Sequence, residues 1–380
     1  MNPMQANKIS IWQAVILLFL CRMFSVLTYT PGISAAVGGT EQLIANLLSA
    51  ALQFVLLIPA YLIYRMDCGR NIITAAKEAF HQWSLPISLL YYLFLLLIAV
   101  NTMTQFTFFM TNAVFPQASR IFFVLTMLLV VLYAMHAGLE AISRTSVLIF
   151  AGFLVMLFFV IFASIPQMEL VNLKPALSHA GTDIVRATIE NFARNSELVV
   201  LLLIFPKVKG GIRKGVITLL IGITVAFELI GFTMTTVLGD YAGVQSFPFY
   251  ALASLAEASV FQRLDALHMA IWVFISFLKI SLYLYLAADV LKSMLTLRFA
   301  KAAAPTSVIL FLTASLITVF GIEWLRNMSF VLTTAIPVGV LVFLIPLLLV
   351  IVLKWKKGRA KENGVVSQNT PQAVVETHSH

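Results

Sequence analysis

Apolar runs of about twenty residues alternate with short polar stretches along almost the whole chain. Cutting at charges and at Pro/Gly clusters leaves segments at 9–29, 42–64, 84–110, 119–138, 145–165, 184–206, 215–238, 267–291, 305–323 and 329–353. As helices rising about 1.5 Å per residue, such segments cross a hydrocarbon layer about 30 Å thick. The pattern predicts an all-α polytopic membrane protein: ten transmembrane helices within residues 1–355, then a disordered tail at 356–380 that opens basic and turns polar.

Composition narrows the function classes. Of 380 residues 61% are hydrophobic and 11% charged, so there is no polar stretch where a second, soluble domain could fold. Nucleic-acid binding needs a basic face with stacking aromatics on a soluble fold, and nothing here supplies one. The basic loop "KVKGGIRKG" has no P-loop spacing and no preceding strand. No nucleophile stands beside a base in a catalytic motif, and the histidines at 81, 136, 179, 268, 378 and 380 show no paired ligand spacing. We therefore expect neither an enzyme nor a metal site, and no cofactor. Cys21 lies inside the first apolar run and Cys68 in a charged loop, which argues against a disulfide framework.

The net charge of +9 is distributed with a sign. Alternate loops, counted from the N-terminus, carry seventeen lysines and arginines, among them Arg65, Lys77, Lys207, Lys214 and Lys292; the other loops carry five, Arg120, Lys174, Arg186, Arg263 and Arg326. The positive-inside rule then places both termini in the cytoplasm of a cell-membrane protein, with the basic rim against anionic lipid.

Three basic residues remain inside the membrane: Arg22, Arg194 and Lys279. Acidic residues at comparable depth are Glu197 and Glu228, with Asp289 near one helix end. The sixth span, "NFARNSELVVLLLIFPK" over Asn191–Lys207, is the hardest to insert. Its apolar half returns about 4 kcal/mol, against about 6 kcal/mol for burying Arg194 and Glu197. Counting back from Pro206 puts Glu197 about 14 Å and Arg194 about 18 Å deep, on either side of the midplane. An apolar half, a polar centre (Arg194, Asn195, Ser196, Glu197) and an amphipathic half make the pattern of a discontinuous helix lining a cavity. The competing reading is a salt-bridged interfacial helix through Arg186, Glu190, Arg194 and Glu197, which leaves too few residues to cross the membrane.

Span one has a similar interruption, "CRMFSVLTYTPG", where Arg22, Ser25 and Thr28 precede Pro31 and Gly32. Irregular helices one and six, five spans apart, fit a 5+5 inverted repeat, about 9–165 and 184–353. In span eight, Trp272, Ser276, Lys279 and Tyr283 share one helical face, and in span three Asn101, Thr104, Gln105 and Phe108 do likewise. For Asn101 and Gln105, interhelical hydrogen bonding and ligand contact both remain open. A lysine as deep as Lys279 requires a carboxylate partner or a lowered pKa, which leaves structural pairing, proton coupling and a built-in cation as its possible roles.

The segments "KISIWQ", "NSELVVLLLIFPKVK" and "FPFYALASLAEASVFQRLDALHMAIWVFISFLKISLYLYLAADVL" resemble the spore germination permease family, the membrane subunit of nutrient germinant receptors, within the amino acid–polyamine–organocation transporter superfamily. The likeness covers residues 8 to about 353. It implies a leucine-transporter-like fold and an amino acid or similar nutrient held between helices one, three, six and eight. It also implies a spore inner-membrane complex with a partly soluble membrane subunit and a lipoprotein. Many superfamily members have a glycine-rich break in helix one, where this chain reads "CRMFSVLT"; either Arg22 replaces that anion contact or the site differs.

Overall fold

The computed structural model describes residues 8–28, 39–66, 71–174, 180–256, 264–320 and 335–368. Pro31, Gly32, Cys68, Arg263, Arg326 and the tail histidines lie outside the described residues.

The chain opens with β1 (Ile9–Ser10) and α1 (Ile11–Leu27). A capping box sets the start: Gln13 N donates to Ser10 Oγ at 3.2 Å and Ser10 N to Gln13 Oε1 at 3.0 Å. Through Leu27, α1 is continuous, so the interruption expected at Arg22 and Ser25 is not in the backbone of this stretch. The helix carries Arg22 unbroken because leucines, Met23 and Phe24 surround it and its guanidinium finds partners on another helix.

The long spans follow as α2 (Gly39–Leu56) running into α3 (Ile58–Met66), α5 (Ser84–Phe109), α6 (Arg120–Ala137), α7 (Leu139–Ser164), α10 (Ile212–Leu238), α13 (Leu264–Leu295), α14 (Phe299–Phe320) and α15 (Ala335–Gly339) joined by a π turn to α16 (Ile345–Gln368). Among the described residues eight helices are long and apolar enough to cross a membrane, and α1 is a shorter apolar one. The sixth expected span is split, as α8 (Gly181–Ala193) and α9 (Glu197–Ile204), and a short helix, α11 (Tyr241–Val244), follows α10.

One departure from expectation has a local cause. The charged loop after the second span contains an amphipathic helix, α4 (Ile72–Phe80), whose Asn71 cap accepts a hydrogen bond from Ile73 N at 3.3 Å and whose Ile72, Ile73, Ala75, Ala76 and Ala79 are buried. Its apolar periodicity was short enough to be hidden by Lys77 and Glu78. Past the last span, α16 runs on to Gln368. A helix already nucleated in the membrane propagates easily through the Lys-, Arg- and Ala-containing residues that follow.

Helix α13 is the axis of the bundle. Two thirds (67%) of its most apolar stretch is buried, against 33% for α10, and it packs on α1, α5, α6, α7, α12 (Pro248–Leu255) and α14. At one end of the bundle β1 pairs in parallel with β2 (Val208–Lys209), Ile9 opposite Val208 and Ser10 opposite Lys209. The two strands lock the start of α1 to the exit of α9. Gly215 lets α10 approach there: a Cβ at this position would sit 2.3 Å from Ile11 Cγ1.

Candidate functional site

The break between α8 and α9 falls at Arg194–Ser196. Arg194 N makes the last bond of α8, to Glu190 O at 3.1 Å, and Leu198 N turns back to Asn195 O at 3.3 Å. Asn and Ser favour such local alternatives to the helical ladder. An interrupted helix inside a membrane leaves carbonyls that require partners, and in this chain they come from α1. Arg22 Nη1 donates to Arg194 O at 2.6 Å and Nη2 to Asn191 O at 3.3 Å, while the guanidinium stands 4.6 Å over the Phe227 ring of α10. Arg22 is 3% exposed and is committed to the C-terminal end of a half-helix. Its two terminal nitrogens serve backbone carbonyls, while its buried Nε has no hydrogen-bond partner among the described residues.

On the other side of the break, Glu197 opens α9, where the positive end of the helix dipole favours a carboxylate. Lys279 Nζ donates to its Oε1 at 2.8 Å and to Cys21 O of α1 at 3.2 Å, with the Phe24 and Tyr283 rings 5.3 and 5.7 Å away. The carboxylate required by the deep lysine is therefore Glu197. Ser196 Oγ lies 2.6 Å from Tyr283 OH. Trp272 Nε1 donates to Thr28 Oγ1 at 2.5 Å, and Thr28 Oγ1 donates in turn to Phe24 O at 2.6 Å. The polar face of α13 thus runs along α1 and the break, one contact per turn or two.

Other candidates are placed differently. Thr104 bonds back to Val100 O at 2.8 Å, and among the described residues no hydrogen bond ties Ser25 or Gln105 to the break. Asn101 is half-buried on α5. From that helix, what meets Trp272 is rings: Phe106 at 6.1 Å and Phe109 at 4.4 Å between centroids. Phe24 stacks on the same indole at 5.5 Å, and Phe109 continues to Phe247 and Tyr250, so an aromatic cluster covers one side of the charged layer. Glu228 stands half-buried on α10 beside Phe227, its Oε1 without a hydrogen-bond partner among the described residues.

One row of residues escaped the sequence reading. On α2, Gln42, Asn46, Ser49 and Gln53 fall four, three and four apart, the spacing that singled out α13. Asn46 Oδ1 accepts from Asn191 Nδ2 at 2.8 Å and Gln53 Oε1 from Asn195 Nδ2 at 2.7 Å. No charge drew attention to this row, though its periodicity was visible.

At the strand-paired end, Lys207 Nζ meets Asp289 Oδ2 at 2.7 Å and stands 5.0 Å over Tyr285. Burial pulls this ammonium down, and Asp289 with Tyr285 more than reverses the effect, leaving it above the ordinary lysine value. A cavity of about 720 Å³, lined by Asn71, Thr74, Lys77, Glu78, Pro206, Lys207 and Asp289, opens beside the pair. Lys77 Nζ donates to Ser293 O, tying α4 to the end of α13.

A bundle of long apolar helices that includes an interrupted one, with buried charge at the interruption, is the architecture of secondary transporters. Solved structures agree on the fold. A Na⁺-coupled sialic acid symporter in a substrate-bound outward-open state matches with a TM-score of 0.59 at 14% identity, covering 88% of this chain and 79% of that one. A nucleobase-cation-symport-1 family transporter, closed with bromovinylhydantoin bound, matches with a TM-score of 0.56 at 14% identity, covering 82% and 74%. Within that class, the family model described as spore germination protein matches residues 8–319, and the chain belongs to this family of membrane permeases. Spore germination protein KB of Bacillus subtilis (strain 168) is 24% identical over 95% of this chain and 98% of its own length. Spore germination protein XB of Bacillus anthracis is 24% identical over 50% of this chain and 54% of its own length.

Proposed function

We propose that the protein is the membrane subunit of a spore nutrient germinant receptor, binding an amino acid or similar small nutrient at the mid-membrane and triggering germination when it does. The observation that carries this reading is the buried polar column at the α8–α9 break, where Glu197, Lys279, Ser196 and Tyr283 meet in one network. Asn195 Oδ1 and Glu197 Oε2 are buried acceptors without a hydrogen-bond partner among the described residues, which suits a ligand bearing N–H donors. Arg194 and Glu228 are the remaining intramembrane charges from which a response to the ligand can draw. The split helix counts with α1 and the eight long spans as ten crossings, in which the first and sixth are related as a 5+5 inverted repeat requires. In this reading α1, α5, α8–α9 and α13 surround the ligand. Both termini face the cytoplasm, the membrane is the spore's inner one, and a partly soluble membrane subunit and a lipoprotein complete the receptor.

The test is binding of labelled amino acids to the protein reconstituted with its companion subunits. Saturable binding, lost at least about tenfold in Glu197→Ala and Ser196→Trp, supports the reading. A second reading, an autonomous proton-coupled amino-acid transporter, is favoured by the buried Lys279–Glu197 pair. It requires accumulation of substrate in liposomes under a pH gradient, abolished by Lys279→Met. Absence of any nutrient binding, with or without companions, sinks both.

A further inference from the structure

Transporters of this architecture coordinate coupling cations with unwound backbone carbonyls and with the C-terminal ends of half-helices. In this protein those oxygens are already taken. The C-terminal carbonyls of α8, Asn191 O and Arg194 O, accept from Arg22 Nη2 at 3.3 Å and Nη1 at 2.6 Å. The carbonyl of Cys21 and the carboxylate of Glu197, from two different helices, converge on Lys279 Nζ at 3.2 and 2.8 Å, with two ring faces near. Carbonyl, carboxylate and π faces are the donor set of a monovalent cation site, and an ammonium stands at its centre. Both basic side chains are almost completely buried, Arg22 at 3% and Lys279 at 4% exposure, so neither can leave its place for water without a rearrangement of the bundle.

We infer that Arg22 and Lys279 are built-in cations that occupy the positions of dissolved coupling ions, so the protein closes around its ligand without sodium or any other free monovalent cation. The inference rests on the mid-membrane site proposed above, but its test is read without ligand, so that failure of one is distinguishable from failure of the other.

The experiment is thermal unfolding of the purified full chain in NaCl, KCl, methylammonium chloride and choline chloride at equal ionic strength. Wild type should melt within about 1 °C in all four, whereas Lys279→Ala should gain about 4 °C or more in sodium or methylammonium over choline, saturably. Arg22→Ala should respond in the same way to guanidinium. The double variant Lys279→Ala/Glu197→Gln, lacking the carboxylate that holds the cation, should lose the response. A wild-type midpoint that climbs saturably with sodium overturns the inference, as does a folded Lys279→Ala protein indifferent to every cation tried. Should Lys279→Ala fail to fold, equilibrium binding of radioactive sodium to wild type decides alone: saturable binding refutes the inference, and none supports it.

Discussion

Lys279 and Glu197 form an ion pair of 2.8 Å between α13 and the first residue of α9, their side chains 5% and 2% exposed. The two helices are joined inside the bundle by a contact that water does not reach. Removing one partner of such a pair strands a buried charge, so Lys279→Met or Glu197→Gln should each lower stability by about 3–5 kcal/mol. The double variant should recover much of the loss, because two neutral side chains of similar shape need no partner. A double-mutant cycle on chemical unfolding in detergent measures it; additive losses would mean that the pair does not couple.

Arg22 bridges two carbonyls, and lysine, with one ammonium in place of a planar fork, cannot reproduce the arrangement. Arg22→Lys should retain a fraction of the stability that Arg22→Ala loses, the latter about 1.5–3 kcal/mol for each charge-assisted bond left unmade. The loss should also be local. Hydrogen exchange at Asn191–Ser196 should accelerate more than exchange along α13, and uniform acceleration would argue against a cap.

The α2 row predicts a smaller effect. Gln53→Leu removes the acceptor of Asn195 Nδ2, and Asn46→Leu that of Asn191 Nδ2. Hydrogen bonds between membrane helices average about 0.6 kcal/mol and reach about 1.7 kcal/mol, and each substitution should fall in that range by thermal unfolding. A loss well beyond it would show that α2 positions the break by more than these two bonds.

Lys207 gives a pH test with a defined sign. Its ammonium is held above the ordinary lysine value in the folded protein, so the folded state binds its proton more tightly than the unfolded chain. The stabilisation is full below the unfolded value, about 10.4, and is lost as pH rises through the folded value above it. Wild type should exceed Lys207→Met in melting temperature by a constant margin from about pH 6 to 9, and the margin should close above about pH 10.5. A margin that grew with pH would contradict the pairing with Asp289.

Gly215 predicts a steric failure at the strand-paired end. With a Cβ 2.3 Å from Ile11 Cγ1 and 2.4 Å from its Cδ1, Gly215→Val should push α10 off α1 and destabilise by about 1–3 kcal/mol. Ile11→Ala in the same molecule should relieve much of this, read by the same unfolding assay.

Much of this architecture was legible without coordinates, for identifiable reasons. The cost of burying Arg194 and Glu197 does not depend on knowing their partners, so the interruption in the sixth span could be located by energy and depth alone. The α13 face at Trp272, Ser276, Lys279 and Tyr283 was legible because a 3.6-residue period survives in an otherwise apolar helix. What could not be read was pairing. Nothing in the order of residues says that Arg22 reaches Arg194 O across 172 positions, or that it caps the backbone at the end of α8. Neutral amides such as Asn46 and Gln53 carry little insertion cost, so the same test that found the charges passed over them. The α4 helix was missed because it is short and begins among the charges of a loop.

The two-residue strand pairing of Ile9–Ser10 with Val208–Lys209 gives α9 a mechanical property. The half-helix is eight residues long, a strut of about 12 Å, hinged at Ser196 and riveted by backbone bonds to the root of α1. A tilt at the hinge therefore drags the root of α1 with it. A pull on Ile9 and Ser10 is therefore passed through the strand pair towards the break at Ser196.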